Sequence, residues 1–322
     1  MSKSQSQIYI GIDVGKQFLD VFASPSNQHR QFENNPKGHN KILKWFAAFQ
    51  DPIALICLEA SGGYEKKILN RLADSPFPVA RVNPKWVHHY AKSMGYLTKT
   101  DKIDAYLIAH YAEKMSPAIY QKLEKTKALL RELYTRKMQL TQIRAAEKNR
   151  LEKYSDTQAV RASINRFIRQ IDKEILNMDT LIEKWFEKNP DTKQLLDLIV
   201  TVKGIGKTSA VALLALLPEI GKLNRQEIAA LAGVAPMNHD SGKMHGKRFT
   251  QGGRITVRTA LYMAALVASR FNDKIRVFYE RLLAAGKLKK VALTACMRKL
   301  LIYVNTLVRT YYQQLSVMDK SV

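Results

Sequence analysis

Four carboxylates are spaced so that phosphoryl-transfer chemistry is within their reach. Asp13 follows the strand-like run YIGI in GIDVGK, and Glu59 ends the apolar run IALICL in LEASGGY. Strand ends are places from which a side chain can project into a cleft. Asp101 and Asp104 lie in KTDKIDA at the start of a helical pattern, and their i, i+3 spacing puts both on one helix face. Four such groups form an oxygen cage of the kind Mg²⁺ prefers. Two ions about 4 Å apart would activate a nucleophile and stabilise the leaving oxygen of a phosphodiester. Singly, each has a plainer reading: Asp104 as a first-turn charge on the helix dipole, Asp101 as an N-cap, Asp13 as a turn former, Glu59 as a solvated strand end. Together, in this order after a three-strand meander, they read as a ribonuclease-H-like metal site.

A second group lies far along the chain. Ser241 sits in MNHDSGKMHGKRFTQGGR, a polar, basic, glycine-containing stretch between two apolar helical segments. Asp-Ser-Gly is by itself ordinary turn chemistry. Lys243, Lys247, Arg248, Arg254 and Arg258 follow it and would neutralise charge on a phosphate, while His239 and His245 flank it as proton-transfer candidates. Upstream, Lys203-Gly204-Ile205-Gly206-Lys207 resembles a helix-hairpin-helix turn, where glycines let backbone N–H groups approach a phosphate; tight helix packing is the alternative. It is not a Walker loop, because Thr201 stands where the first glycine is required.

The elements that must position these residues fall into three parts. Over residues 1–116, short β-rich runs alternate with helical ones: strands at Ile8 to Ile12, Leu19 to Ala23 and His29 to Phe32 forming an antiparallel meander, a helix over Lys37 to Phe49, and a buried strand over Ile53 to Leu58. A helix over Tyr64 to Ala73, a strand over Val79 to Val82 and a helix from about Lys102 to Lys114 complete an α/β layer. Over 117–190 the strand signal vanishes. Ile164, Ile168, Ile171, Ile175, Met178, Ile182 and Trp185 step by four and three, a heptad seam that predicts a coiled-coil arm. A weaker stripe of Leu133, Leu140, Ile143 and Leu151 could fold back on it through a turn near Ser155-Asp156, either as an intramolecular hairpin or as a dimerisation arm. From Thr192 to the end, within a third part over 191–322, the pattern reads as wholly α-helical. The expected fold class is thus α/β plus all-α.

Bulk properties agree with a polyanionic partner. The formal charge is +24 with a pI near 9.9, more than solubility requires. Ser241 to Thr310 holds 15 Lys and Arg against Asp273 and Glu280, which concentrates the binding face there. No apolar signal core precedes the first strand, and Cys57 and Cys296 lack CxxC or histidine spacing, so a soluble cytoplasmic protein without membrane, disulfide or zinc is expected.

The set GIDVGK, LEASGGY, VNPKWV and KTDKIDA, followed much later by VKGIGKTSA and LAGVAPMNHDSGK, resembles the IS-one-ten family of DEDD insertion-sequence transposases, which includes the Piv invertase. The resemblance runs over almost the whole chain. It implies a RuvC-like N-terminal domain whose acidic tetrad falls on Asp13, Glu59, Asp101 and Asp104, and a helical C-terminal transposase domain with Ser241 as a nucleophile that forms a phosphoserine ester. It further implies donor and target double-stranded DNA as substrates and, in some members, a noncoding guide RNA. Exchange of strands between two duplexes implies a homo-oligomer, a dimer or tetramer. Other classes stay open at this point: a Mg²⁺-dependent junction nuclease acting by hydrolysis, an actin-like ATPase for which GIDVGK would be a phosphate loop, and a non-catalytic nucleic-acid binder.

Overall fold

The computed structural model describes residues 7–96, 100–153, 157–238, 240–241, 244–246 and 248–318. The chain divides into two compact units, one up to Lys122 and one from Leu123 onward.

The first unit is built on a five-stranded sheet. Its elements run β1 (Ile8–Val14), β2 (Phe18–Ser24), β3 (Gln28–Glu33), α1 (Pro36–Ala47), β4 (Ile53–Glu59), α2 (Lys66–Ala73), β5 (Val79–Val82), α3 (Pro84–Ser93) and α4 (Asp101–Met115). The strand order is β3-β2-β1-β4-β5. β1, β2 and β3 are antiparallel neighbours joined by short turns, as the meander predicts, while β4 and β5 run parallel to β1. Alternation along the strands sorts the two faces. Ile8, Ile10 and Ile12 of β1 and Ile56 and Leu58 of β4 pack with Ile42, Trp45 and Phe46 of α1 and Ile68, Leu69 and Leu72 of α2. Leu55 and Cys57 turn to the opposite face, against Val87 of α3 and Leu107, Ile108 and Tyr111 of α4. Asp13 and Glu59 belong by the same parity to the α3 and α4 face. The unit continues past Ser116: the Tyr120 amide donates to the Val79 carbonyl, and Lys122 pairs with Asp74.

The second unit begins with two long helices, α5 (Lys125–Lys153) and α6 (Gln158–Glu187). Lys137 pairs with Asp179 and Arg144 with Asp172, so residue numbers rise on one helix as they fall on the other and the pair is antiparallel. Leu140, Ile171, Ile175 and Met178 pack between them. Of the expected α5 stripe, Leu140 is buried whereas Ile143 is 39% exposed; Leu130 and Tyr134 are buried as well. The turn expected at Ser155-Asp156 lies outside the described residues. At the base of the pair, Leu130, Tyr134, Ile182, Trp185 and Phe186 join the core of the helices that follow.

Those are α7 (Pro190–Val200), α8 (Lys207–Leu216), α9 (Arg225–Ala232), then four two-residue strands β6 (Pro236–Met237), β7 (Asp240–Ser241), β8 (Met244–His245) and β9 (Phe249–Thr250), then α10 (Ile255–Phe271), α11 (Asp273–Ala284) and α12 (Lys289–Met318). The expectation of an unbroken helical region after Thr192 is corrected here: β6 pairs with β9 and β7 with β8, two nested antiparallel ladders. Two-residue strands carry no alternation that a sequence pattern can reveal. α12 is long and apolar enough by composition to cross a membrane, and half of that apolar window is buried. Its Cys296, Met297, Leu300, Leu301, Val304 and Val308 fill the core, which explains the composition. Buried Asn305 on the same helix accepts from the Gly221 amide at 2.8 Å and donates to the Leu223 carbonyl at 2.8 Å, tying the loop before α9 to it. Both cysteines are free and buried, and burial pushes the Cys57 thiol up to about 12 and the Cys296 thiol up to about 11.

Candidate active site

In the first unit, Asp13, Glu59, Asp101 and Asp104 line one open cleft of about 570 Å³. The registry explains why. Ile12 lies beside Leu58 across the parallel β1 and β4 pair, and the next residue on each strand is Asp13 and Glu59. α4 brings the other two carboxylates, and it can do so because Gly11 has no side chain. A Cβ at Gly11 would stand 2.0 Å from the Ala105 carbonyl oxygen and 2.4 Å from the Ala109 amide nitrogen, so the helix backbone rests directly on β1. Ala105 and Ala109 are fully buried there. Thr100, not Asp101, caps α4: its Oγ1 accepts from the Ile103 amide at 3.3 Å. Asp101 and Asp104 occupy the first turn, where the helix dipole favours negative charge.

Asp13 sits in an unfavourable place for an anion. Burial pushes its carboxyl above the ordinary value of 3.8; Asp104, Asp101 and Asp20 add to the rise, against a backbone hydrogen bond at Val14. Among the described residues no three His, Cys, Asp or Glu side chains stand at the spacing of a closed ligand set. The donor chemistry nevertheless suits a hard divalent cation. The set is all oxygen, and repulsion among the acids is what a cation would offset.

Several residues of this site escaped the sequence reading. Glu65, 3% exposed, accepts hydrogen bonds from the amides of Ser61 at 3.1 Å and Gly63 at 2.8 Å, with Arg81 Nη1 donating at 3.4 Å. It closes the turn that leaves β4 immediately after Glu59, a turn in which Gly62 and Gly63 take φ of +64° and +108°. Lys85, His88 and Lys92, on one face of α3, line the same cleft, and the two lysines supply cations opposite the acids. Their i, i+3, i+7 spacing was the available signal. Asp20, buried and paired across the ladder with Asp13, is held by His29 at 3.0 Å and by Gln31. In the second unit the backbone of Ser241 lies in β7 beside Met244 of β8, in the two-residue ladder that falls between β6 and β9 in sequence. His239, Lys243 and Lys247 lie outside the described residues.

The predicted basic contacts divide into two groups. Lys203 and Arg248 are exposed. Lys207 is exposed and paired with Glu183 at 2.6 Å. Gly206 precedes α8 with open space where a Cβ would be, whereas a Cβ at Gly204, at φ +104°, would stand 2.4 Å from the Ala268 Cβ. So Gly204 serves helix packing and Gly206 leaves backbone open. The Arg254 guanidinium is engaged within the fold: it donates to Glu219 at 2.6 and 2.7 Å and to the Leu216 carbonyl at 2.6 Å. Burial pushes the Glu219 carboxyl up, but Arg254, a backbone hydrogen bond and Arg131 together outweigh it and the net shift is downward. Arg258 donates at 3.2 Å to the carbonyls of both Gly233 and Gly252 and so fastens the segment entering α10. Composition alone cannot distinguish such paired arginines from phosphate contacts.

Comparison with known proteins gives the family. Residues 10–157 match a family profile described as a transposase, and residues 196–280 match one described as the transposase IS116/IS110/IS902 family. The chain is 32% identical over 309 residues to the pilin gene-inverting proteins of Moraxella lacunata and Moraxella bovis, covering 92% of this chain and 94% of theirs. A 142-residue stretch is 28% identical to an uncharacterized 42 kDa protein of insertion element IS900 of Mycobacterium paratuberculosis, 43% of this chain and 34% of that one. An acidic cleft on a mixed sheet, joined in one chain to a strongly basic helical unit, is therefore the equipment of a DNA-recombining enzyme, a transposase or recombinase acting on DNA. The chain belongs to the IS110 family of these enzymes.

Proposed function

We propose that the protein cuts and rejoins DNA strands by serine chemistry supported by the carboxylate cleft. The observation that carries the reading is the convergence of Asp13, Glu59, Asp101 and Asp104, from two strand ends and one helix, on a single cleft. The strand order β3-β2-β1-β4-β5, with the acids at the ends of β1 and β4, supports a ribonuclease-H-like first unit. These four residues would hold Mg²⁺, two ions in our reading. When bound, such ions supply electrophilic stabilisation of the phosphate and of the leaving oxygen.

The chain's own groups do the rest. Lys85 and Lys92 let a polyanionic strand enter an otherwise acidic cleft, and Glu65 fixes the turn that orients Glu59. The Ser241 hydroxyl loses its proton as its oxygen bonds to phosphorus, and the displaced strand end departs with a free hydroxyl. Attack by a second strand end on that phosphoserine ester releases the serine and reseals the DNA, so no bond energy is lost to water. Donor and target duplexes, a noncoding guide RNA, and a dimer or tetramer with the α5 and α6 pair as a contact belong to the same proposal. Since two relatives are named as inverting pilin genes, inversion and transposition are both products to assay.

The test is a two-site plasmid assay with Mg²⁺ and RNA transcribed from the flanking DNA. Wild-type protein should yield recombinants, and Asp13→Asn and Ser241→Ala should each yield none. Recombinants from Ser241→Ala would refute the nucleophile. Nicked products that are indifferent to Ser241 would establish hydrolysis by the first unit instead.

A further inference from the structure

The second unit contains a pocket that none of the above uses. It encloses about 630 Å³ between the β6 and β9 ladder and helices α11 and α12, within the range of small-molecule sites. Two aromatic rings line it, Phe249 of β9 and Phe278 of α11, with Val291 and Ile302 of α12 completing an apolar interior. Three cations also line it, Arg248, Arg298 and Lys299, and among the described residues no carboxylate does. Lys299 Nζ stands 4.4 Å from the centre of the Phe278 ring. Arg298 Nε is buried and, among the described residues, is the buried side-chain nitrogen or oxygen that lacks a hydrogen-bond partner. A buried guanidinium donor with no acceptor is costly, so Arg298 brings to the lining a cation whose Nε hydrogen-bonding capacity is not used within the fold.

The lining thus asks for a ligand with a flat apolar body and a negative group attached. In an enzyme whose substrate is DNA, that description fits one nucleotide turned out of its stack, with the base against the aromatic rings and the phosphate toward the arginines. We propose that this pocket holds an unstacked DNA nucleotide. Its position gives the site a use. β9 pairs with β6, and the chain between them carries the ladder containing Ser241. A base captured there anchors the strand a short way from the serine and fixes which phosphate is presented. The inference rests on the DNA-handling role of this unit and not on the nucleophile.

The experiment therefore uses full-length Ser241→Ala protein in EDTA, so that neither cleavage nor metal binding enters. Affinity is measured for a single-stranded DNA oligonucleotide and for an abasic strand of equal length. The base-bearing strand should bind about tenfold more tightly, as expected when one base stacks on an aromatic ring. Phe249→Ala should erase that preference, and the milder Phe249→Leu should weaken it. Arg298→Gln should lower affinity for both strands. An oligonucleotide carrying 5-iodouracil should photocrosslink to the peptide containing Phe249 or Phe278. Equal affinity for the two strands, a preference unchanged by Phe249→Ala in protein of unaltered Tm, or crosslinks confined to other peptides would overturn the proposal. Tighter binding of an RNA strand of the same sequence would overturn the assignment to DNA.

Discussion

Replacing Gly11 with alanine tests whether the approach of α4 to β1 makes the acidic cleft. The added Cβ would lie 2.0 Å from the Ala105 carbonyl oxygen. Protein Cβ atoms essentially never approach a neighbour closer than 3.0 Å, so the helix must lift by about 1 Å at this point. Asp104 immediately precedes Ala105 and moves with it. Overpacking of this kind costs about 1 to 3 kcal/mol, which in a unit of this size lowers the Tm by about 4 °C for each kcal/mol. The chemical cost should be larger, since a displacement of about 1 Å of a positioned catalytic group costs about a hundredfold in rate. The assays are thermal melting and the rate of recombinant formation, at a temperature where the variant remains folded. Gly206→Ala is the control for melting, because a Cβ there meets nothing within 4 Å. A Gly11→Ala protein that melts lower yet recombines at the wild-type rate would separate the cleft from the helix placement and refute the reasoning.

Three further outcomes follow from the same structure. Because the folded carboxyl of Asp13 binds its proton more tightly than the unfolded one, metal-free protein should lose stability as pH rises through the window just above 3.8. Asp13→Asn should remove that loss and raise the Tm at pH 7 in EDTA, and a lower Tm would contradict it; Mg²⁺ at ten times its Kd should stabilise wild type by about 1.4 kcal/mol and the variant less. Gly204→Ala, at φ +104° and against Ala268, should melt well below wild type, while Gly206→Ala should melt near it; equal melting would show that the turn is not packed as described. Arg254→Ala should cost about 1.5 to 3 kcal/mol through loss of the Glu219 pair and leave the salt dependence of DNA binding unchanged, whereas Arg248→Ala should leave the Tm and reduce the salt slope by about one. The reverse pattern would restore Arg254 as a phosphate contact.

Much of the first unit was legible in its residues. The alternation in YIGID and IALICLE fixes which face each acid takes, and parallel registry then sets Asp13 beside Glu59. The i, i+3 spacing of Asp101 and Asp104 was readable because a helix makes them neighbours. Glu65 was not readable, since its partners are backbone amides brought to it by two glycines in left-handed conformation. Asp20 was hidden because its relation to Asp13 exists only in the β1 and β2 pairing. In the second unit, charge counting overreached at Arg254, whose acid lies 35 residues earlier in sequence. The β6 to β9 ladders are too short for any period to show. Ser241 was visible only through resemblance, because Asp-Ser-Gly carries no chemistry that a turn does not also explain.

The central claim is that Ser241 forms a bond to DNA, and mass spectrometry of the denatured reaction tests it most directly. Wild-type protein quenched during turnover on plasmid with Mg²⁺ and RNA should yield, after nuclease digestion, a peptide carrying a nucleotide on Ser241, absent from Asp13→Asn protein. Recombinants accumulating with Ser241 unmodified, or the nucleotide found on another residue, would contradict it.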